Sequence, residues 1–220
     1  QDIAGDNVVS LIQDDQPVLV PIGGEIRHQA EPCALIAAPD RATLREARRH
    51  VRLRTERLPA VFDPLQSDQE FAHYTVESGD AAAAMGTAAV VIEGTYRVGH
   101  QEQLYIENQA MIAVPGEDGG IVIHGSMQCP YYVHKAMKRA LGMTSVQARV
   151  IQEETGGGFG GKEEYPSMLA LHASLLALKA KRPVRMIYER HEDIAATTKR
   201  HPAVVRHRTG VTKDGRLVAQ

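Results

Sequence analysis

The amino-acid sequence predicts an α+β fold, and three observations carry the expectation. Residues 33–57 read as a small strand–helix–strand unit. Residues 59–84 then lose all periodicity, with Pro59, Pro64 and Gly79 among many polar side chains, which marks a long connection between two cores. From residue 88 onwards strand patterns, hairpin turns and helix patterns mix, and one strand-to-helix turn carries five glycines between Gly156 and Gly161.

Taken in order, residues 2–16 are polar and turn-rich around an apolar patch at 8–12. A short strand over 17–22 is followed by a turn at Gly23-Gly24 and extended chain over 25–28. Residues 33–38 form an unbroken small apolar run, the pattern of a buried strand. Asp40 is a good N-cap for a helix over 41–50, with Leu44, Ala47 and Val51 on one face. Residues 51–56 alternate apolar and charged, as a half-exposed strand does. Beyond the connection, strands are expected at 88–98 and 105–114, and Glu117-Asp118-Gly119-Gly120 is a hairpin turn into a strand at 121–125. Pro130 opens a helix over 131–141 that Gly142 caps. A strand at 146–151 feeds the glycines. The helix after them, over 168–178, is apolar on nearly every face and so is expected to be buried all round. A strand at 184–188, a polar helix at 190–199 and a strand at 203–211 with a turn at Lys213-Asp214-Gly215 complete the chain.

Composition excludes several function classes. The 220 residues are 43% hydrophobic and 24% charged, which is globular rather than disordered. A net charge of −2 offers nothing to nucleic acid or anionic lipid. No apolar run approaches the roughly 20 residues a bilayer span requires, and the first ten residues lack the basic start and apolar core of a signal peptide. Cys33 and Cys129, the only cysteines, form neither a disulfide framework nor a metal motif, which points to a reducing cytoplasm. The chain opens on Gln1 and closes on Val218-Ala219-Gln220 inside a strand-like pattern, and so reads as a segment of a longer polypeptide.

The glycine stretch admits three readings from its residues. Gly156, Gly158 and Gly161 satisfy the dinucleotide fingerprint, but almost any such cluster does, and no acid follows about 20 positions on. Gly156 to Lys162 satisfies the phosphate-loop spacing, yet Glu163 stands where a hydroxyl should hold magnesium, and its carboxylate would repel phosphate. A plain turn that lets a helix pack on a strand is the third, although Phe159 within the glycines is unusual for it.

Thr155-Gly156-Gly157-Gly158-Phe159-Gly160-Gly161-Lys162-Glu163 also resembles the pterin-contacting loop of the molybdenum hydroxylases, the xanthine dehydrogenase and aldehyde oxidase family. Gly125-Ser126-Met127-Gln128 is similar to that family's Ser-Thr-Gln turn, and Gln128 lies 31 residues before Phe159, as in the family. His100-Gln101-Glu102-Gln103-Leu104-Tyr105-Ile106-Glu107 with Ala113-Val114-Pro115 resembles the strand leading into that turn. The stretch from Glu25 to Ala37, Leu58-Pro59-Ala60-Val61 and Arg200-His201-Pro202 resemble further segments, in order, over most of the chain.

The resemblance implies a small α/β hammerhead-type domain over 1–75, a linker over 76–87, and the first part of a mixed α+β molybdenum-cofactor domain over 88–220. It implies that the Gln128 amide contacts the oxo ligand of molybdenum and that Gly158, Phe159, Gly160 and Gly161 lie against the cofactor. Glu163 would point into the substrate pocket and favour an N-heterocycle, as in purine metabolism; aldehydes are the other substrate class. Lys162 and Glu164 are expected to face solvent. Met127 and Cys129 depart from the family pattern and would sit beside the metal. The implied cofactor is molybdenum–molybdopterin, in its plain or cytosine-dinucleotide form, with the metal held by the pterin and no protein metal ligand. The 2Fe-2S centre and FAD would belong to partner domains or subunits of an oligomeric, cytoplasmic enzyme that uses water-derived oxygen. The general base would lie outside this chain, leaving the fragment alone inactive.

From the residues alone, Gln128 could equally steady a turn, Phe159 could be a core aromatic, and Glu163 could cap its helix. A lone His172 on an apolar helix reads as a satisfied core residue. A nucleotide-binding protein using Gly156 to Lys162, or a homologue that has lost its cofactor and acts as a scaffold, are the alternatives.

Overall fold

The computed structural model describes residues 2–220. In chain order the first elements are α1 (Arg41–His50), α2 (Ala81–Gly86), β1 (Val90–Val98), β2 (Ala110–Pro115), β3 (Ile121–Gly125) and α3 (Pro130–Leu141). They are followed by β4 (Ala148–Gln152), α4 (Tyr165–Ala180), β5 (Val184–Ile187), α5 (Arg190–Ala196), β6 (Ala203–Val211) and β7 (Leu217–Ala219). The architecture is mixed α+β with two sheets. The chain divides into two compact units, one built from the residues up to 51 together with 100–200, the other from 52–99 together with 201–220.

The first unit holds a four-stranded sheet in the order β4-β3-β2-β5. β2 pairs antiparallel with both β3 and β5, while β3 and β4 run parallel, joined through α3. Alternation along the strands puts Met111, Ala113, Ile121, Ile123 and Ala148 into the core. Val133, Met137 and Ala140 of α3 and Leu169, Leu171 and Ala173 of α4 meet them there. α4 is enclosed as its composition predicts: Pro166 through Ser174 and Ala177 are all buried. Its Lys181 cap and the Gly142 cap of α3 are both left-handed, which ends each helix. His172 lies inside this core and meets the Val18 carbonyl at 2.8 Å, tying the N-terminal segment to α4. The second unit pairs β1 with β6 antiparallel along nine residues, and β7 extends that sheet.

Several expected elements change. Asp40 caps α1 through the Thr43 N–H as predicted, but no strand forms at 17–22, 33–38 or 51–56. A strand persists only when a neighbour completes its hydrogen bonds, and none of these segments enters either sheet. Leu53 is accordingly exposed, and α1 buries no side chain. The expected linker 76–87 contains α2, capped by Asp80. The strand expected over 105–114 begins only at Ala110, because Leu104 adopts a left-handed φ of 51° and residues 105–109 turn their side chains to other tasks. α5 ends at Ala196, short of the expected 199.

Candidate functional site

β3 and the parallel β4 end side by side, so the turn after one and the glycine loop after the other are neighbours. Gln128, just past β3, is exposed and bonded to that loop twice over. Its backbone N–H donates to the Lys162 carbonyl at 2.7 Å. Its side-chain Oε1 accepts from the Gly160 N–H at 3.0 Å and the Lys162 N–H at 3.1 Å. Only the carbonyl end of an amide can accept, so two converging N–H groups fix which way it faces. The Nε2 end points the other way and has no hydrogen-bond partner among the described residues.

The loop itself needs its glycines at definite places. A Cβ on Gly158 would collide with Gln128 Oε1, and one on Gly161 would collide with the Tyr105 ring. Gly157 and Gly160 hold φ of 98° and 92°, and Phe159 between them is also left-handed at 52°. That backbone turns the Phe159 ring outward, 76% exposed, so the core-aromatic reading does not hold. No hydrogen bond to the N–H groups of Gly157, Gly158 or Phe159 forms among the described residues. Glu163 is exposed beside this arc. Burial first, and then the nearby Glu163 carboxylate, push the Cys129 thiol up, which puts both at the same rim.

A buried polar network stands behind the loop. Lys162 is fully buried, with Nζ 2.7 Å from Glu107 Oε2 and 3.0 Å from Ser126 Oγ. The ammonium also lies 4.9 Å above the Tyr105 ring centre. Partial burial raises the Glu107 carboxyl, but hydrogen bonds from Lys162, Ser126 and Gly156 outweigh it and hold it below the ordinary range. Tyr105 donates to Asp193 at 2.6 Å, and Gln109 donates to the Tyr105 hydroxyl at 3.0 Å and the Gly161 carbonyl at 2.8 Å. Burial, and then Asp193, push the Tyr105 phenol far above its usual range, so it stays a donor.

These observations correct the sequence reading of Lys162, Glu163 and Met127. Lys162 does not face solvent: it is buried and ion-paired. Its ammonium is enclosed by Glu107, Ser126 and the Tyr105 ring, which removes the phosphate-loop reading. Glu163 does not begin or cap a helix, because α4 starts at Tyr165. Met127 does not face the site, since its side chain is buried in the core. The dinucleotide reading fails on topology: the strand after α4 does not join β4 but pairs antiparallel with β2 at the far edge. Tyr105, Gln109 and Asp193 were missed as site residues. The polar side chains of Tyr105, Glu107, Asn108 and Gln109, at the head of a strand-like run, were the legible signal.

The described residues contain no group of three or more His, Cys, Asp or Glu side chains able to hold a metal ion. The model of the molybdopterin cofactor-binding domain matches residues 63–220. The chain belongs to this family, that of xanthine dehydrogenase and aldehyde oxidase. Within it, the chain is 35% identical over 201 residues to xanthine dehydrogenase of Blastobotrys adeninivorans, covering 89% of this chain and 14% of that one. It is 31% identical over 228 residues to the nicotinate dehydrogenase large molybdopterin subunit of Eubacterium barkeri, covering 99% and 53%. The chain thus spans only a part of the curated relatives it matches. Among solved structures it superimposes on aldehyde oxidoreductase of Desulfovibrio gigas with a TM-score of 0.80 at 24% identity, over 98% of this chain and 26% of that one.

Proposed function

We propose that this chain is the pterin-facing part of a molybdenum-dependent hydroxylase acting on an N-heterocycle or an aldehyde. The observation that carries the reading is the orientation of Gln128. Its carbonyl end is held by two loop N–H groups, so its Nε2–H donors are presented outward without a partner among the described residues. The loop offers three more unpaired N–H groups at Gly157, Gly158 and Phe159. Neutral donors of this kind suit an oxo-bearing, anionic group and add no charge of their own.

When bound, the molybdenum–molybdopterin cofactor supplies water-derived oxygen and accepts two electrons, which leave through 2Fe-2S and flavin partners to an acceptor. This chain's residues bind and orient. Gln128 Nε2 would donate to an oxygen carried by the bound metal, and Gly158, Phe159, Gly160 and Gly161 would form the wall against the cofactor. Glu163, free at the rim, hydrogen-bonds a heterocyclic substrate and sets it in line. We place the enzyme in the cytoplasm, in an oligomer with its electron-transfer partners; the cofactor is plain or cytosine-dinucleotide, and the chain alone turns over no substrate.

The deciding experiment measures molybdenum and released pterin in the full-length protein purified from its own host with its partners. Equimolar molybdenum and pterin are expected. Metal-free protein from a host that fills a control hydroxylase overturns the proposal in favour of a scaffold.

A further inference from the structure

We infer that the ion pair between the buried Lys162 and the partly exposed Glu107 is a positioning device that sets the direction of the Gln128 amide. The inference rests on the proposed function for what that direction serves, though its geometry stands without it. Three separate stretches of chain converge on the pair. Glu107 precedes β2, Ser126 follows β3, and Lys162 closes the glycine loop. Glu107 Oε2 accepts from Lys162 Nζ at 2.7 Å, Ser126 Oγ at 2.6 Å and the Gly156 N–H at 2.8 Å. The Glu107 N–H in turn donates to the Gly156 carbonyl at 3.3 Å. One carboxylate oxygen therefore fixes the first residue of the loop and, through Lys162, the last.

Gln128 hangs on what this clamp holds. Its backbone N–H and its side-chain oxygen both bond to the Lys162 backbone, and Ser126 lies two residues before it. A displacement of Lys162 moves both partners at once, and the Gly160 N–H with them. Burying an ammonium is a costly way to brace a turn that an apolar side chain could fill. What the ion pair adds is register, because an ammonium and a carboxylate accept only a narrow set of positions for the groups between them. Lys162 Nζ is also enclosed by Glu107, Ser126 and the Tyr105 ring, and is fully buried.

The test uses the full-length protein carrying Lys162→Met, Glu107→Gln, or both. In cofactor-free protein, hydrogen exchange is followed over 156–163, with β2 and β3 as internal reference. Lys162→Met is expected to speed exchange in the loop at least about tenfold while the two strands stay within about twofold. Glu107→Gln keeps shape but leaves the fully buried Lys162 ammonium without its counter-ion, and gives a rise at least as large, confined to the same loop. The double variant recovers most of the protection, because no charge is then buried alone. In cofactor-loaded protein, Lys162→Met shifts the molybdenum(V) resonance as Gln128→Ala does, and combining the two adds nothing further. Unchanged loop exchange, exchange raised uniformly through the strands, or additive resonance shifts overturn the inference. Protein that takes up no molybdenum overturns the proposed function alone, and the exchange experiment still decides the role of the pair.

Discussion

Gly158 and Gly161 both exclude a Cβ, but the neighbours they protect respond differently. At Gly158 the obstacle is Gln128 Oε1, the far end of a flexible side chain. Gly158→Ala is expected to swing the amide away and cost about 1–2 kcal/mol in lost hydrogen bonds. Its larger effect falls on cofactor retention: released pterin from purified protein should drop at least about tenfold. At Gly161 the obstacle is the Tyr105 ring, which is fully buried and pinned by Asp193 and Gln109. Gly161→Ala therefore forces the core apart and should cost about 3 kcal/mol, read as a lowered urea midpoint. Lys162→Met belongs to the same scale. It leaves Glu107 without its cation, and because Glu107 keeps contact with water the cost is set at about 2–3 kcal/mol, below that of a fully enclosed pair.

Helices α1 and α4 set the limits at the scale of an element. α4 is apolar on every side and fills the space between the sheet and α3. Leu171→Ala removes a fully buried side chain, and a loss of about 3 kcal/mol in unfolding free energy with an unchanged denaturant slope is expected. α1 buries nothing, so its stability is local. Asp40→Ala should remove about 1 kcal/mol of capping and speed amide exchange within α1, while the global unfolding midpoint stays where it was.

Across the whole molecule, His172 joins segments 154 positions apart in sequence and does so as a neutral ring. Burial pushes its pKa down to about 4, while the unfolded ring titrates at 6.5. The unfolded state thus binds the extra proton first as the solution is acidified. Stability is complete above pH 6.5 and drains as the pH falls from 6.5 towards 4, by on the order of 3 kcal/mol. His172→Gln, whose amide can still donate to the Val18 carbonyl, should flatten that part of the stability–pH curve in denaturant titrations.

Local pattern determined a good deal by itself. One apolar face and the Asp40 cap marked α1, Pro130 and Gly142 marked α3, an apolar run marked α4, and the turn residues marked the β2–β3 hairpin, because those signals act between residues a few positions apart. The family resemblance of the turn at 125–128 and of the glycine loop likewise implied that Gln128 and the loop belong together, and hydrogen bonds join them. Only the tertiary structure decided the fate of 33–38 and 51–56, since a strand depends on a partner that its own sequence does not contain. Only the tertiary structure, too, turned Lys162 inward. Its partners are 55 and 36 residues away, and the burial of a cation is set by the carboxylate and hydroxyl that distant strands bring to meet it.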